Sequence, residues 1–253
     1  MFLIFIVGTA GSGKSLLTST FSEWLRMSKQ DVTILNLDPG VMTLPYTPDL
    51  DVRDYVSISD LMEKHQLGPN GALIMATDLI AGHVETLSNK LQDIDSDVVL
   101  VDTPGQIELF AFRACGPYIT MELTKEPKAI VYLFDSVFSL NPANYISNLF
   151  LSAAVFNRLV IPQAHVLSKC DLLPPEKIDA IVEWSKNPET LEMIIEQELK
   201  GTKRLLSRDM MYAIYSLDLH FLLIPVSAKS NKGLIDLNMV LERIFTGGEK
   251  FTY

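Results

Sequence analysis

The octapeptide Gly8-Thr9-Ala10-Gly11-Ser12-Gly13-Lys14-Ser15 constrains this chain more than any other feature. It fits G-x-x-x-x-G-K-[ST] in full, and the apolar run 2–7 stands directly before it. Helix-forming residues follow over 15–28. Glycines let the backbone curl so that successive N–H groups point at one anion. The positive end of the following helix adds to that field. The pattern predicts a phosphate cradle of Gly11, Ser12, Gly13, Lys14, Ser15 and Leu16. Lys14 is expected to reach the β- and γ-phosphates, and the Ser15 hydroxyl to ligate Mg²⁺.

A strand that feeds such a loop has to lie inside a sheet covered on both faces. Further apolar runs agree with that, at 32–37, 98–101, 129–134, 164–167 and 221–226. Helical stretches fall between them at 79–92, 142–157 and 233–245. Alternating strands and helices predict an α/β fold, a P-loop NTPase three-layer sandwich with a mainly parallel central sheet. Residues 39–48 carry three prolines and a glycine and read as loop. Residues 174–219 read as a helical insertion within a single domain spanning 1–253, and 247–253 as a fraying end.

Three more motifs sit at strand ends. Asp102-Thr103-Pro104-Gly105-Gln106 follows 98–101. It puts a metal-directed carboxylate (Asp102), an unobstructed amide for the γ-phosphate (Gly105) and a water-orienting amide (Gln106) in one loop. Ser168-Lys169-Cys170-Asp171 resembles the guanine motif N-K-x-D. There Asp171 would accept both the N1–H and the 2-amino group of guanine, which adenine cannot match. Lys169 would lay its stem along the base, and Ser168 departs from the usual Asn. Ser227-Ala228-Lys229 resembles the S-A-K loop that meets guanine O6. Taken in order, these favour GTP, with GDP as product, over ATP.

Between the first two motifs lies Leu67-Gly68-Pro69-Asn70-Gly71-Ala72. Together with Asn36-Leu37-Asp38-Pro39-Gly40, Leu44-Pro45-Tyr46-Thr47-Pro48, Asp51-Val52-Arg53-Asp54 and Asp102–Gln106, it resembles the GPN-loop GTPases over nearly the whole chain. That resemblance implies a homodimer in which Gly68, Pro69 and Asn70 reach the partner's site and Asn70 meets phosphate. It implies Asp38 as a residue that orients or deprotonates water or joins the metal shell. It implies a molecular switch in the assembly of a larger complex, with RNA polymerase subunits as clients by family analogy. An adaptor governed by nucleotide occupancy with slow hydrolysis, and an ATP-using relative, are the rival readings.

The formal charge of −10 repels a phosphate backbone and argues against direct nucleic-acid binding. Two separated cysteines, Cys115 and Cys170, make neither a disulfide framework nor a metal cluster. No apolar run is long enough to span a bilayer, so a cytoplasmic protein without a membrane partner is expected. His65, His83, His165 and His220 lack metal-ligand spacing. Arg53 is as well suited to an ion pair as to phosphate. The 210–215 stretch, rich in Met and Tyr, reads as packing for the insertion more readily than as a partner groove.

Overall fold

The computed structural model describes residues 1–217 and 221–247. His220, the end of the 174–219 stretch and all of 247–253 except Gly247 lie outside the described residues. The strands are β1 (Phe2–Gly8), β2 (Val32–Asn36), β3 (Leu50–Asp51), β4 (Val98–Asp102), β5 (Lys128–Asp135), β6 (Gln163–Ser168) and β7 (Leu223–Pro225). They form one seven-stranded sheet in the order β3-β2-β4-β1-β5-β6-β7, with every pair parallel.

The apolar runs are continuous because helices cover both faces. On β1, Leu3, Phe5 and Val7 enter one core while Ile4 and Ile6 enter the other. The second core is closed by α1 (Lys14–Met27) and by α10 (Leu234–Thr246), through Leu17, Phe21, Leu25, Leu234, Leu237 and Leu241. The first is closed by α2 (Ile58–His65), α3 (Pro69–Ile80), α4 (Val84–Gln92), α5 (Cys115–Glu122) and α6 (Pro142–Leu159). The three-layer sandwich read from the sequence is therefore present.

Register brings the polar strand ends together. Ile6 and Asn36 both stand beside Asp102, and Asp135 stands beside Ser168. The loops at this carboxyl edge are where ligands of open parallel sheets bind.

Some local readings change. The helix expected over 79–92 is two helices separated by the short turn Ala81–His83, with Gly82 at the break. Gly-Pro-Asn opens a helix: Gly68 is the N-cap of α3 and Pro69 sits in its first turn, where its missing N–H costs nothing. The last strand is shorter than 221–226. Between Ser168-Lys169-Cys170-Asp171 and β7 lie α7 (Pro175–Lys186), α8 (Pro188–Glu198) and α9 (Gly201–Tyr215). Met211 and Ile214 are buried in the same core as Tyr132 of β5, while Tyr212 is exposed. The 210–215 stretch thus packs mainly inward. No described helix is long and apolar enough to cross a membrane.

Candidate nucleotide site

The loop after β1 reaches α1 through two left-handed glycines, Gly11 (φ 75°) and Gly13 (φ 97°). Gly13 is the N-cap of α1, so the helix begins at Lys14, one residue earlier than read. Gly8 has no room for a side chain: a Cβ there would stand 2.7 Å from Ser12 Oγ and 3.0 Å from Leu133 Cβ.

Lys14 folds back over this loop. Its Nζ donates to the carbonyls of Gly8 (2.9 Å), Thr9 (3.1 Å) and Gly105 (3.1 Å). The last bond links the two phosphate-directed motifs. Burial lowers the Lys14 pKa, and the charges of Asp102 and Asp38 oppose that shift.

Asp102 is 1% exposed at the end of β4. Burial raises its pKa, opposed by hydrogen bonding from Ser15 and Tyr46 and by the charge of Lys14. Its Oδ2 accepts the Tyr46 hydroxyl at 2.7 Å. Its Oδ1 is buried and has no partner of normal hydrogen-bond geometry among the described residues, although Ser15 is near enough to favour the charged form. A buried carboxylate oxygen left open beside a hydroxyl suits Mg²⁺, which keeps most of its waters and takes one or two protein oxygens. Among the described residues no larger His, Cys, Asp or Glu cluster could hold a metal.

Asp38 joins two loops. Its Oδ1 accepts the Gly40 N–H and its Oδ2 the Gly105 N–H, both at 2.8 Å. Gln106 points elsewhere: its Nε2 donates to Glu108 Oε1 at 3.3 Å. Asn70 is exposed in the first turn of α3. Arg53 is committed to Asp51, through Nε and Nη2 at 3.0 and 2.6 Å, so the ion-pair reading holds.

The base-directed motifs line a cleft of about 240 Å³ with Ser12, Gly13, Leu16, Ser168, Lys169, Asp171, Ala228 and Lys229 among its walls. Ser227 stands behind it, donating to Asp171 Oδ1 at 2.7 Å. Ser168 Oγ lies 2.8 Å from the Ser12 carbonyl oxygen and 3.1 Å from that of Phe134. The hydroxyl that replaces the usual Asn therefore ties this loop to the phosphate loop. Lys169 pairs with Asp135 at 2.7 Å. Burial pushes the Cys170 thiol up to about 11, which leaves it unreactive beside Asp171. Sequence reading gives Tyr46 no role beyond its place in the Leu44–Pro48 stretch, and it passes over Asp135. Asp135 was within reach, as an Asp closing a buried strand like Asp102. Tyr46 sat in a proline loop with no periodicity to place it.

Strand, phosphate loop, helix and an acidic second strand end define a P-loop nucleotide-binding protein. A family model described as "Conserved hypothetical ATP binding protein" matches residues 6–247. GPN-loop GTPase PAB0955 of Pyrococcus abyssi is 36% identical over 69% of this chain and 70% of its own length. GPN-loop GTPase 1 of Saccharomyces cerevisiae is 30% identical over 85% of this chain. The crystal structure of the P. abyssi GTPase in apo form matches with a TM-score of 0.86 at 29% identity, covering 96% of this chain and 97% of that one. The chain belongs to the GPN-loop GTPase family. It spans 57% of the yeast protein and 43% of GPN-loop GTPase 1 of Dictyostelium discoideum.

Proposed function

We propose that this chain is a Mg²⁺-dependent GTPase that works as a homodimeric GPN-loop switch. The observation that carries the reading is the base-sized cleft that joins Asp171 to the phosphate loop. Asp171 keeps one carboxylate oxygen on Ser227 and turns an acidic, guanine-compatible wall to the cleft. Adenine offers no pair of donors to that wall, which favours GTP even though the family model's description speaks of ATP.

Each residue has a role. The amides of Gly11, Ser12, Gly13, Lys14 and Ser15 hold phosphate, and the Lys14 ammonium neutralises charge as it redistributes. Ser15 and Asp102 would hold magnesium, which supplies charge neutralisation on the phosphates. Gly105 offers its N–H to the γ-phosphate when Asp38 releases it. Asp38 then takes a proton from, or orients, the attacking water, and Gln106 turns from Glu108 to help. Ser168, Lys169, Ala228 and Lys229 enclose the base.

In this reading 1–253 acts as one nucleotide-binding domain, with 174–219 an insertion in it. Asn70, exposed at the start of α3, is suited to act on a second copy's phosphates. A role in assembling a larger complex, with RNA polymerase subunits as clients, follows from the family resemblance. A second reading, an adaptor controlled by occupancy with slow hydrolysis, draws on the Gln106–Glu108 bond, which engages that amide's N–H with a neighbouring carboxylate.

The test is steady-state GTP hydrolysis against protein concentration, for wild type and Asn70→Ala, with ATP as competitor. Specific activity should rise with dimer formation and drop roughly 10²-fold or more on losing Asn70, the scale of one neutral hydrogen-bond donor aimed at developing charge. Activity indifferent to both removes the trans-acting loop; efficient competition by ATP removes the guanine reading. Nucleotide binding that persists in Gln106→Ala while client assembly survives would favour the adaptor.

A further inference from the structure

Resting on the magnesium site proposed above, we infer that Tyr46 is a positioning residue for that metal, holding Asp102 so that only its Oδ1 is offered beside Ser15. The two residues are 56 positions apart, so no local turn brings them together. The phenol donates to Oδ2 at 2.7 Å, while Oδ1 stays buried and unpartnered among the described residues. One oxygen is thus spoken for by a neutral donor. The carboxylate loses the freedom to swing or to turn both oxygens to the ion.

The loop that carries Tyr46 is fastened on either side of it. Ser19, on α1, donates its hydroxyl to the Pro45 carbonyl at 3.0 Å. Asp49 accepts the Ile34 N–H on its carboxylate at 2.7 Å and returns its own N–H to the Ile34 carbonyl at 2.9 Å. Pro45 and Pro48 restrict the backbone between those anchors. A phenol on a free loop would spend little time on Asp102; one held at both ends by α1 and β2 stays there. Groups that orient a metal-directed carboxylate in this way change metal affinity about 10–100-fold when removed.

The experiment follows binding of a fluorescent GDP analogue to the full chain as MgCl₂ is raised from an EDTA baseline, for wild type, Tyr46→Phe and Ser15→Ala. In Tyr46→Phe the Mg²⁺ concentration that half-tightens nucleotide should rise about tenfold, with EDTA affinity unchanged. An unchanged or lower Mg²⁺ midpoint overturns the assignment. So does loss of binding in EDTA as well, which would make Tyr46 a residue of loop folding. The underlying reading fails separately: if wild-type binding ignores Mg²⁺ and Ser15→Ala behaves like wild type, there is no magnesium site for Tyr46 to serve.

Discussion

The carboxylate of Asp38 accepts the Gly105 N–H through Oδ2, 2.8 Å away, and holds Gly40 with its other oxygen. In the proposed mechanism the Gly105 amide is the donor offered to the γ-phosphate of GTP. Carboxylate and phosphate therefore compete for one N–H, whereas GDP makes no such claim. Asp38→Ala removes the competitor and should raise affinity for GTP relative to GDP by about tenfold, the worth of a charge-assisted hydrogen bond. On the proposed mechanism the same change also removes the carboxylate that acts on water, so kcat should fall by about 10²-fold or more. Paired GTP and GDP titrations with single-turnover hydrolysis check both halves. A variant that keeps kcat would leave Asp38 as a loop tie alone.

Base selectivity should rest on Asp171. Asp171→Asn replaces one acceptor by a donor, so guanine meets a donor facing a donor. Preference for GTP over ATP should shrink at least about 10²-fold. Xanthosine triphosphate, with a carbonyl where guanine has the 2-amino group, should gain in the same variant. Competition against labelled GTP reads all three. Equal loss for every base would assign Asp171 to folding of its loop through Ser227.

What the sequence shows of the fold follows from burial. Strands covered on both faces are written as unbroken apolar runs, so β1, β4 and β5 were legible. Pro142, in the first turn of α6 behind the Asn141 cap, marked that helix. Less was visible where the signal was short or shared. β3 is two residues long and exists only because β2 pairs with it. In α2 only Leu61 is buried, so no stripe of apolar residues announced it. The helix α3 is apolar almost all round, which blurs its period. The candidate site residues that carry motifs were legible too. The ties between motifs were not, because Ser168 to Ser12 and Tyr46 to Asp102 join residues far apart in the chain through single side-chain bonds.

Gly116 marks the closest backbone approach in the segment after the Gly105 loop. A Cβ there would stand 1.6 Å from the Phe110 carbonyl oxygen, where the turn Glu108–Phe112 meets α5. Backbone on both sides cannot yield as a flexible side chain can. Gly116→Ala should cost about 3 kcal/mol, lowering Tm by roughly 6–12 °C for a domain of this size. Thermal unfolding followed by circular dichroism measures it. A drop under about 2 °C would mean that the turn relaxes freely.

His165 sets a pH dependence whose sign can be worked out. It is buried among Tyr132, Phe134 and Phe221, and its Nε2 lies 3.0 Å from Ser152 Oγ and 3.2 Å from Gln163 Oε1. Burial pushes its pKa down to about 3 from an ordinary 6.5. Between those values the unfolded chain binds a proton that the folded chain refuses. The folded state therefore keeps this contribution above pH ~6.5 and loses it as pH falls towards ~3, at about 1.4 kcal/mol per unit. From pH 7 to pH 5 the loss should total about 2 kcal/mol. In His165→Gln that part of the slope should vanish, whatever the variant's own stability. Urea unfolding at pH 7, 6 and 5 on both proteins isolates the difference in slopes. Parallel slopes would show that His165 takes up its proton in the folded state, through the Ser152 and Gln163 oxygens.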